Sequence, residues 1–394
     1  MGGSIMASTI NADTTNGVVV TSDTSGDLEL QSGGTTKAKI TSSGLTDTSN
    51  NVITSQSGKN LIINGDMRIN QRGNYSTTVN STSVTPAVDR WLGRGKGSAG
   101  VFNILATAEN SNGFNNHVVL DVTTASTPSG TDSYRFQQMI EGYNIGKLNW
   151  GTASAKSITL SFWAKSTLTG IFGGSVANGD YNRFNPFSYT ISAANTWEYK
   201  TVTITGDTSG TWVTNNALGL RLNFSLGAGS GRLGTAGTWT SSVLEGVTGQ
   251  TNHIATNGSN LRITGVQVEE KTVATPFEHL QYGQQLALCQ RYYYKWNTTS
   301  SNNWVAWAMA ANTTNMYGHV PFPTTMRNNP SSIEYSGLGW WLGGAVTAFS
   351  AVAIAESGTD SCTMNFTSTG LTAQKMYAVL PNGSTNYIAF NSEL

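Results

Sequence analysis

The sequence predicts an all-β protein with four parts. These are an N-terminal β-rich stalk or anchor tract, a jelly-roll-like β-sandwich, a short helix and a small C-terminal β-sandwich. Three observations predict it. Strand-length runs with period-two alternation of apolar and polar residues recur along the chain. Short Gly/Ser/Asn/Asp clusters punctuate them. One stretch alone carries a helical period.

Residues 1–59 are rich in Thr, Ser, Asn, Gly and Asp and contain no Pro and no aromatic residue. That composition resembles disorder, but Gly17-Val-Val-Val-Thr21, Asp27-Leu-Glu-Leu-Gln31 and Lys37-Ala-Lys-Ile-Thr41 are β-prone runs. Leu28 and Leu30 share one strand face, with Glu29 and Gln31 on the other. Such strands bury too little to stand alone, so this tract is expected to be ordered by partners. Residues 60–280 read as one sandwich, with strands over Tyr134–Glu141, Ile158–Lys165, Trp197–Ile204, Leu218–Leu226 and Leu261–Val268. Leu218, Leu220, Leu222, Phe224 and Leu226 alternate with Gly219, Arg221, Asn223 and Ser225, so that strand presents a polar face. A parity switch at Thr264-Gly265 predicts a β-bulge. Residues 281–297 form a helical linker, with Leu286, Cys289 and Tyr293 at helical spacing, although the run Tyr292–Trp296 also suits a strand. Residues 298–394 return to strands over Trp304–Ala311, Tyr317–Phe322, Val346–Ile354, Cys362–Thr367 and Asn386–Asn391.

Composition excludes several classes. The 394 residues hold 22 Lys+Arg against 22 Asp+Glu. Charged residues are 11%, against roughly a quarter in an ordinary domain. There is no basic cluster to neutralise phosphates, so no nucleic-acid partner is expected. No run reaches the roughly 18 apolar residues of a membrane helix, so no membrane insertion is expected. Cys289 and Cys362 cannot make a disulfide framework. The opening residues lack a signal-peptide pattern, which fits assembly in a cytoplasm.

Many segments fall in a telling order. Asn60-Leu-Ile-Ile-Asn-Gly-Asp-Met-Arg-Ile-Asn-Gln-Arg-Gly73 is followed by Asp89-Arg-Trp91, Thr159-Leu-Ser-Phe-Trp-Ala-Lys165 and Thr196-Trp-Glu-Tyr-Lys-Thr-Val-Thr-Ile204. Then come Gly206-Asp-Thr-Ser-Gly-Thr-Trp212, Ile263-Thr-Gly-Val-Gln-Val-Glu269, Ala274-Thr-Pro-Phe-Glu278 and Leu288-Cys-Gln-Arg-Tyr-Tyr293. This set resembles tail-fibre proteins of tailed bacteriophages, especially those of marine bacteria and cyanobacteria. The resemblance implies a homotrimeric virion appendage. Its N-terminal residues 1–59 attach to phage tail or connector proteins, and its distal β-domains meet host-surface glycans. The middle domain is also similar to jelly-roll carbohydrate-binding modules. Many of those open on an Asn-Gly-Asp strand, close on an Asp-containing strand and hold a structural calcium between the two. Asn64-Gly-Asp66 matches the opening, which makes Asp66 a calcium candidate. Gly265 and Gln267 stand where the closing acids belong.

Glycan binding without catalysis uses aromatic faces and planar polar side chains. Trp163, Arg221 and Asn223 sit on polar faces of the predicted strands. Trp212, Asn215 and Asn216 lie in the loop after Asp207. In Gly337-Leu-Gly-Trp-Trp-Leu-Gly-Gly344, strand register turns the two rings to opposite sides, and Trp340 is the candidate. The opposing reading is packing: Trp163 or the Trp pair against another subunit, Trp212 as the plug of its own sandwich.

Catalytic chemistry has little to stand on. His117, His253, His279 and His319 are scattered, with no metal-ligand spacing. A glycan-cleaving pair of carboxylates would have to come from Asp132 and Glu141 or from Asp180 and Glu198. Gly229-Ser-Gly-Arg-Leu-Gly234 matches a dinucleotide fingerprint in letters but has no helix after it. Three readings therefore stand in order: a receptor-binding fibre whose weak sites gain from avidity, a decorating fibre without receptor binding, and a depolymerase.

Overall fold

The computed structural model describes residues 28–32, 35–41, 44–46, 58–73, 76–80, 82–97, 99–297, 304–383 and 386–394. The chain divides into two units, Met1–Ser57 and Gly58–Leu394. In the first, β1 (Leu28–Ser32), β2 (Thr35–Thr41) and β3 (Gly44–Thr46) form an antiparallel meander. Leu28 pairs with Ile40, while Leu30 and Ile40 stay exposed. The expected run Gly17–Thr21 lies outside the described residues.

The second unit begins with a strap, residues 58–73, that joins no ladder and is held by side chains and by isolated backbone bonds such as Leu61 N–H to the Val268 carbonyl at 2.8 Å. Asn64 takes a left-handed φ of 58°, so Asn64-Gly65-Asp66 is a turn and not the opening strand the resemblance implies. The buried Asn64 amide donates to the carbonyls of Ile69 and Asp89, and its oxygen accepts from Ile69 N–H. Trp91 Nε1 donates to the Asn64 carbonyl.

Two six-stranded antiparallel sheets follow. The strands are β4 (Ser76–Val79), β5 (Val84–Pro86), β6 (Trp91–Lys96), β7 (Val101–Ser111), β8 (Phe114–Thr124) and β9 (Ser133–Glu141). After the one-turn α1 (Gly142–Ile145) come β10 (Ile158–Ser166), β11 (Gly170–Asn178), β12 (Phe184–Ile191), β13 (Glu198–Ile204) and β14 (Leu218–Ala228). The short β15 (Leu233–Gly234) and β16 (Gly246–Val247) pair with each other in parallel, and β17 (Asn260–Glu269) closes the body. The first sheet runs β13-β10-β17-β8-β7-β4 and the second β12-β11-β14-β9-β6-β5. Successive strands pass back and forth between the sheets, which is the jelly-roll habit. Between them Trp91 stacks on Phe136 at 4.8 Å, and Phe162 meets Phe224 and Tyr189 edge-on at 5.0 Å. The bulge forms where parity switches: register slips between Ser161 and Trp163 opposite Gly265, whose φ is +61°.

Helix α2 (Tyr282–Gln290) is capped by a reciprocal Gln281–Gln284 pair. It is shorter than the expected 281–297. The chain turns at Arg291, and the aromatic run becomes β18 (Tyr293–Asn297). Burial decides this, since Tyr292 and Tyr293 are both sealed and a one-sided helix could not bury adjacent rings.

The remaining strands are β19 (Ala306–Ala310), β20 (Asn315–Pro321), β21 (Ser332–Ser336), β22 (Leu338–Trp341), β23 (Thr347–Ala348), β24 (Ala351–Ser357), β25 (Ser361–Thr367), β26 (Met376–Pro381) and β27 (Tyr387–Asn391). They build a three-stranded sheet, β18-β27-β21, and a seven-stranded sheet, β23-β22-β26-β19-β20-β25-β24. Met316, Val320, Met364, Phe366, Tyr377 and Phe390 pack between them.

Candidate functional site

The second sheet sorts its faces by parity. On β14, Leu220, Leu222, Phe224 and Leu226 point into the sandwich, so Arg221, Asn223 and Ser225 point away from it. Register sets Arg135 beside Ser225, Gln137 beside Asn223 and Met139 beside Arg221. On the flanks Arg94 faces Arg135 from β6, and Ser175 faces Asn223 from β11.

Alternation alone predicts that this polar face is solvated. Instead it is largely covered. Asn223 and Ser225 are buried, and Arg221 is half-buried. The cover is the excursion after β14. Gln250 Nε2 donates to Ser225 Oγ at 2.9 Å, and Glu245 Oε1 lies 2.5 Å from Arg135 Nη1. The Tyr181 hydroxyl, from the β11–β12 turn, donates to the same carboxylate. The Tyr181 ring centre is 5.0 Å from the Arg221 guanidinium carbon and 5.9 Å from that of Arg135. Gly173 permits the cover, because a Cβ there would stand 2.5 Å from Gln250 Oε1.

Four buried polar atoms on this face have no hydrogen-bond partner among the described residues. They are Gln137 Nε2, Arg221 Nε, Asn223 Oδ1 and Glu245 Oε2. The partly used neighbours fix their orientation. Arg135 Nε donates to Gln137 Oε1 at 2.8 Å, and Asn223 Nδ2 donates to Ser175 Oγ at 3.1 Å. An unmet buried polar atom costs about 1–3 kcal/mol. The cover that seals these atoms from solvent also closes them to a sugar hydroxyl.

The face is also electrically uneven. Burial pushes the Arg221 guanidinium down to about 10, and the nearby Arg135 and Arg94 push the same way. Burial lowers Arg94, with Arg135 adding to it, and burial lowers Arg135, with Glu245 opposing.

The residues singled out from sequence are distributed over the molecule. Arg221 and Asn223 belong to the face just described. Trp163 lies on the outer face of the other sheet, half-buried, with its ring 5.4 Å from Tyr199. Trp212 is 8% exposed and packs edge-on against Trp150 at 4.5 Å and Trp239 at 5.5 Å. It plugs the sandwich end and has no free ring face for a sugar. Asn215 Oδ1 caps the Ala217 N–H. Asn216 is bound to Arg327 of the C-terminal body, which removes it from ligand contact. Trp340 turns inward, with its Nε1 on Ser368 Oγ and its ring 4.9 Å from Tyr377, so the exposed ring of the pair is Trp341.

Asp66 does not fit calcium. Arg68 Nε sits 3.0 Å from its Oδ2, and a guanidinium there repels a cation. Among the described residues no three His, Cys, Asp or Glu side chains converge. Gln267 serves the chain instead, donating to Glu269 and Thr275 and accepting from Glu278 N–H. Three of the four acids weighed as hydrolytic pairs have structural work. Glu141 accepts from Arg291 and Tyr292, Asp132 from Ser129 N–H, and Glu198 from the Ser192 and Ala193 amides.

Sequence reasoning missed Arg94, Arg135, Gln137, Tyr181 and Glu245. For two of them a signal exists. Arg135 and Gln137 alternate with Tyr134 and Phe136 on β9 as the polar residues of β14 alternate with its leucines.

No protein-family model matches the chain, and no curated protein matches it. Among solved structures it is similar to a putative sugar binding protein from Bacteroides thetaiotaomicron, at 13% identity over 54% of this chain and 100% of that one, with a TM-score of 0.30. It is similar to the enzymatically active domain of bacteriophage CBA120 tailspike protein 4, at 16% identity over 53% of this chain, with a TM-score of 0.28. The match covers 21% of the tailspike chain. It is also similar to a family 11 carbohydrate-binding module from Clostridium thermocellum, at 11% identity over 52% of this chain and 98% of that one, with a TM-score of 0.26. All three overlaps are loose.

Proposed function

We propose that this chain is a receptor-binding tail fibre of a tailed phage, part of the virion, that recognises host-surface glycan without cleaving it. The observation that carries the reading is the sandwich of two six-stranded antiparallel sheets, a jelly roll in a chain of low charge rich in Asn, Thr and Gly. The ordered run of segments from Asn60 to Tyr293 supports the fibre identity. Attachment to the particle falls to residues 1–59. Three chains associate, and three weak sites act together through avidity. Trp307, Met309, Tyr317 and Met376 share the exposed face of the seven-stranded sheet by register, a surface of the kind that self-association covers.

The test is adsorption competition with the purified full chain, its mass in solution measured first. Saturable block of phage attachment to host cells is the expected result. A folded chain that neither binds cells nor slows attachment overturns the reading in favour of a decorating fibre. Accumulation of reducing sugar on host polysaccharide overturns the non-catalytic part.

A further inference from the structure

An open pocket of about 270 Å³ lies where the strap passes α1 and α2. The strap and Leu288 of α2 give it apolar walls, and Tyr143, Asn144, Lys147 and Glu278 stand around it. Unlike the covered face of the second sheet, this lining is accessible. Asn144 and Lys147 are exposed, Leu288 is 40% exposed and Tyr143 63%. Among the described residues the Tyr143 hydroxyl and the Asn144 amide take no hydrogen bond. Lys147 Nζ makes one long contact, to the Gly58 carbonyl at 3.4 Å.

The side chains are free, but the backbone that carries them is not. Gly142 N–H donates to the Ala217 carbonyl at 2.8 Å and Tyr143 N–H to that of Asn215 at 2.9 Å. Ile145 is buried beneath them. The docking is close enough that a Cβ on Gly142 would stand 2.5 Å from the Val213 carbonyl oxygen. On the opposite wall the Glu278 carboxylate accepts from the Gly58 and Asn60 amides at 2.5 and 2.9 Å, and Glu278 N–H donates to Gln267 Oε1 at 2.9 Å. Fixed walls that present unengaged side chains make a preformed site.

Size and lining select the occupant. The pocket is smaller than the roughly 300–1,000 Å³ of sites for drug-sized ligands, so it holds about one sugar ring and no run of them. A pyranose has apolar C–H faces and a polar edge. An exposed tyrosine ring beside a leucine suits the first, and an amide and an ammonium suit the second. Resting on the glycan-recognition reading above, we propose that this pocket takes the terminal ring of a host glycan, with a C–H face against Tyr143 and Leu288 and the hydroxyls on Asn144 and Lys147. The chain then reads glycan ends rather than chain interiors.

The test uses host-surface polysaccharide, intact and after partial acid hydrolysis into fragments graded by length, as competitors for binding of the full chain to host cells. Shortening multiplies ends without adding mass, so potency per unit mass should rise in inverse proportion to fragment length. Tyr143→Ala and Asn144→Ala should each weaken fragment binding by about tenfold or more, with thermal unfolding unchanged because both side chains are exposed and unbonded. Tyr143→Phe, which keeps the ring, should retain most of the affinity. Potency per unit mass that is flat or falls as fragments shorten overturns end recognition. Fragment binding untouched by Tyr143→Ala and Asn144→Ala overturns the pocket and leaves glycan recognition standing. Competition by neither fragments nor intact polysaccharide overturns both.

Discussion

Arg327 and Asn216 hold each other across the two β-bodies of the Gly58–Leu394 unit. Arg327 Nη1 donates to the Asn216 carbonyl at 3.0 Å, and the Asn216 side-chain amide donates to the Arg327 carbonyl at 3.1 Å. The same guanidinium donates to the carbonyls of Ser392 and Glu393, both at 2.8 Å. Arg327→Ala therefore removes three charged hydrogen bonds, each worth about 1.5–3 kcal/mol alone and less in sum. The expected loss is roughly 2–4 kcal/mol, and scanning calorimetry should show one unfolding transition separating into two. A single unshifted transition would show that the bodies are held elsewhere.

The bulge at Gly265 is a second fixed point. Its φ of +61° suits glycine, and a Cβ there would stand 2.5 Å from the Phe114 ring. Gly265→Ala pays backbone strain of about 1 kcal/mol and overpacking of about 1–3 kcal/mol. Denaturant unfolding should show a loss near the sum. Pairing it with Phe114→Leu should recover part of that loss, because the ring is what the new methyl meets. Additive losses in the double variant would exclude the clash.

Alternation reads well where one side of a strand is buried and the other is not. Leu220, Leu222, Phe224 and Leu226 could be placed inward from sequence for that reason, and the parity switch marked Gly265. The same alternation could not show that Asn223 is sealed, because the cover comes from Glu245 and Gln250, more than 20 residues on. Nor could it show that Asn64, Asp89 and Trp91, among the most recognisable residues of the chain, tie the entering strap to the sandwich. Their contacts run from a turn to a strand start and leave no periodic trace. The early strands β4 to β8 were equally silent. β7 and β8 are long, but their polar residues break the apolar period near the exposed hairpin at Asn112-Gly113.

Acid should unfold the protein through His253. Its ring is buried, stacked on Phe172 at 4.9 Å, with its nitrogens 3.2 and 3.3 Å from the hydroxyls of Ser166 and Ser259. Burial holds its pKa down to about 4, against about 6.5 when unfolded. The folded state therefore resists a proton that the unfolded state accepts. Stability is full above about pH 6.5 and falls as pH drops toward 4, by on the order of 3 kcal/mol. In His253→Gln, whatever its starting stability, that slope should flatten. An unchanged slope between pH 6.5 and 4 would assign the acid sensitivity to the carboxylates.

Three substitutions away from the Tyr143 pocket separate loss of fold from loss of binding. Trp212 is sealed among Trp150 and Trp239, so Trp212→Ala should cost about 3–5 kcal/mol as any core tryptophan does. Its effect on binding should appear only through that loss of fold. Trp163 is half-buried on the first sheet beside Tyr199, away from the guanidiniums. Trp163→Ala should leave the affinity for oligosaccharide within about twofold. Gln137→Ala removes a fully buried amide whose Oε1 accepts from Arg135 Nε at 2.8 Å. It should cost about 1–3 kcal/mol of stability in denaturant unfolding and should bear on binding only through that loss. Loss of binding in Trp163→Ala with unfolding unchanged would move the site to the aromatic face of the first sheet.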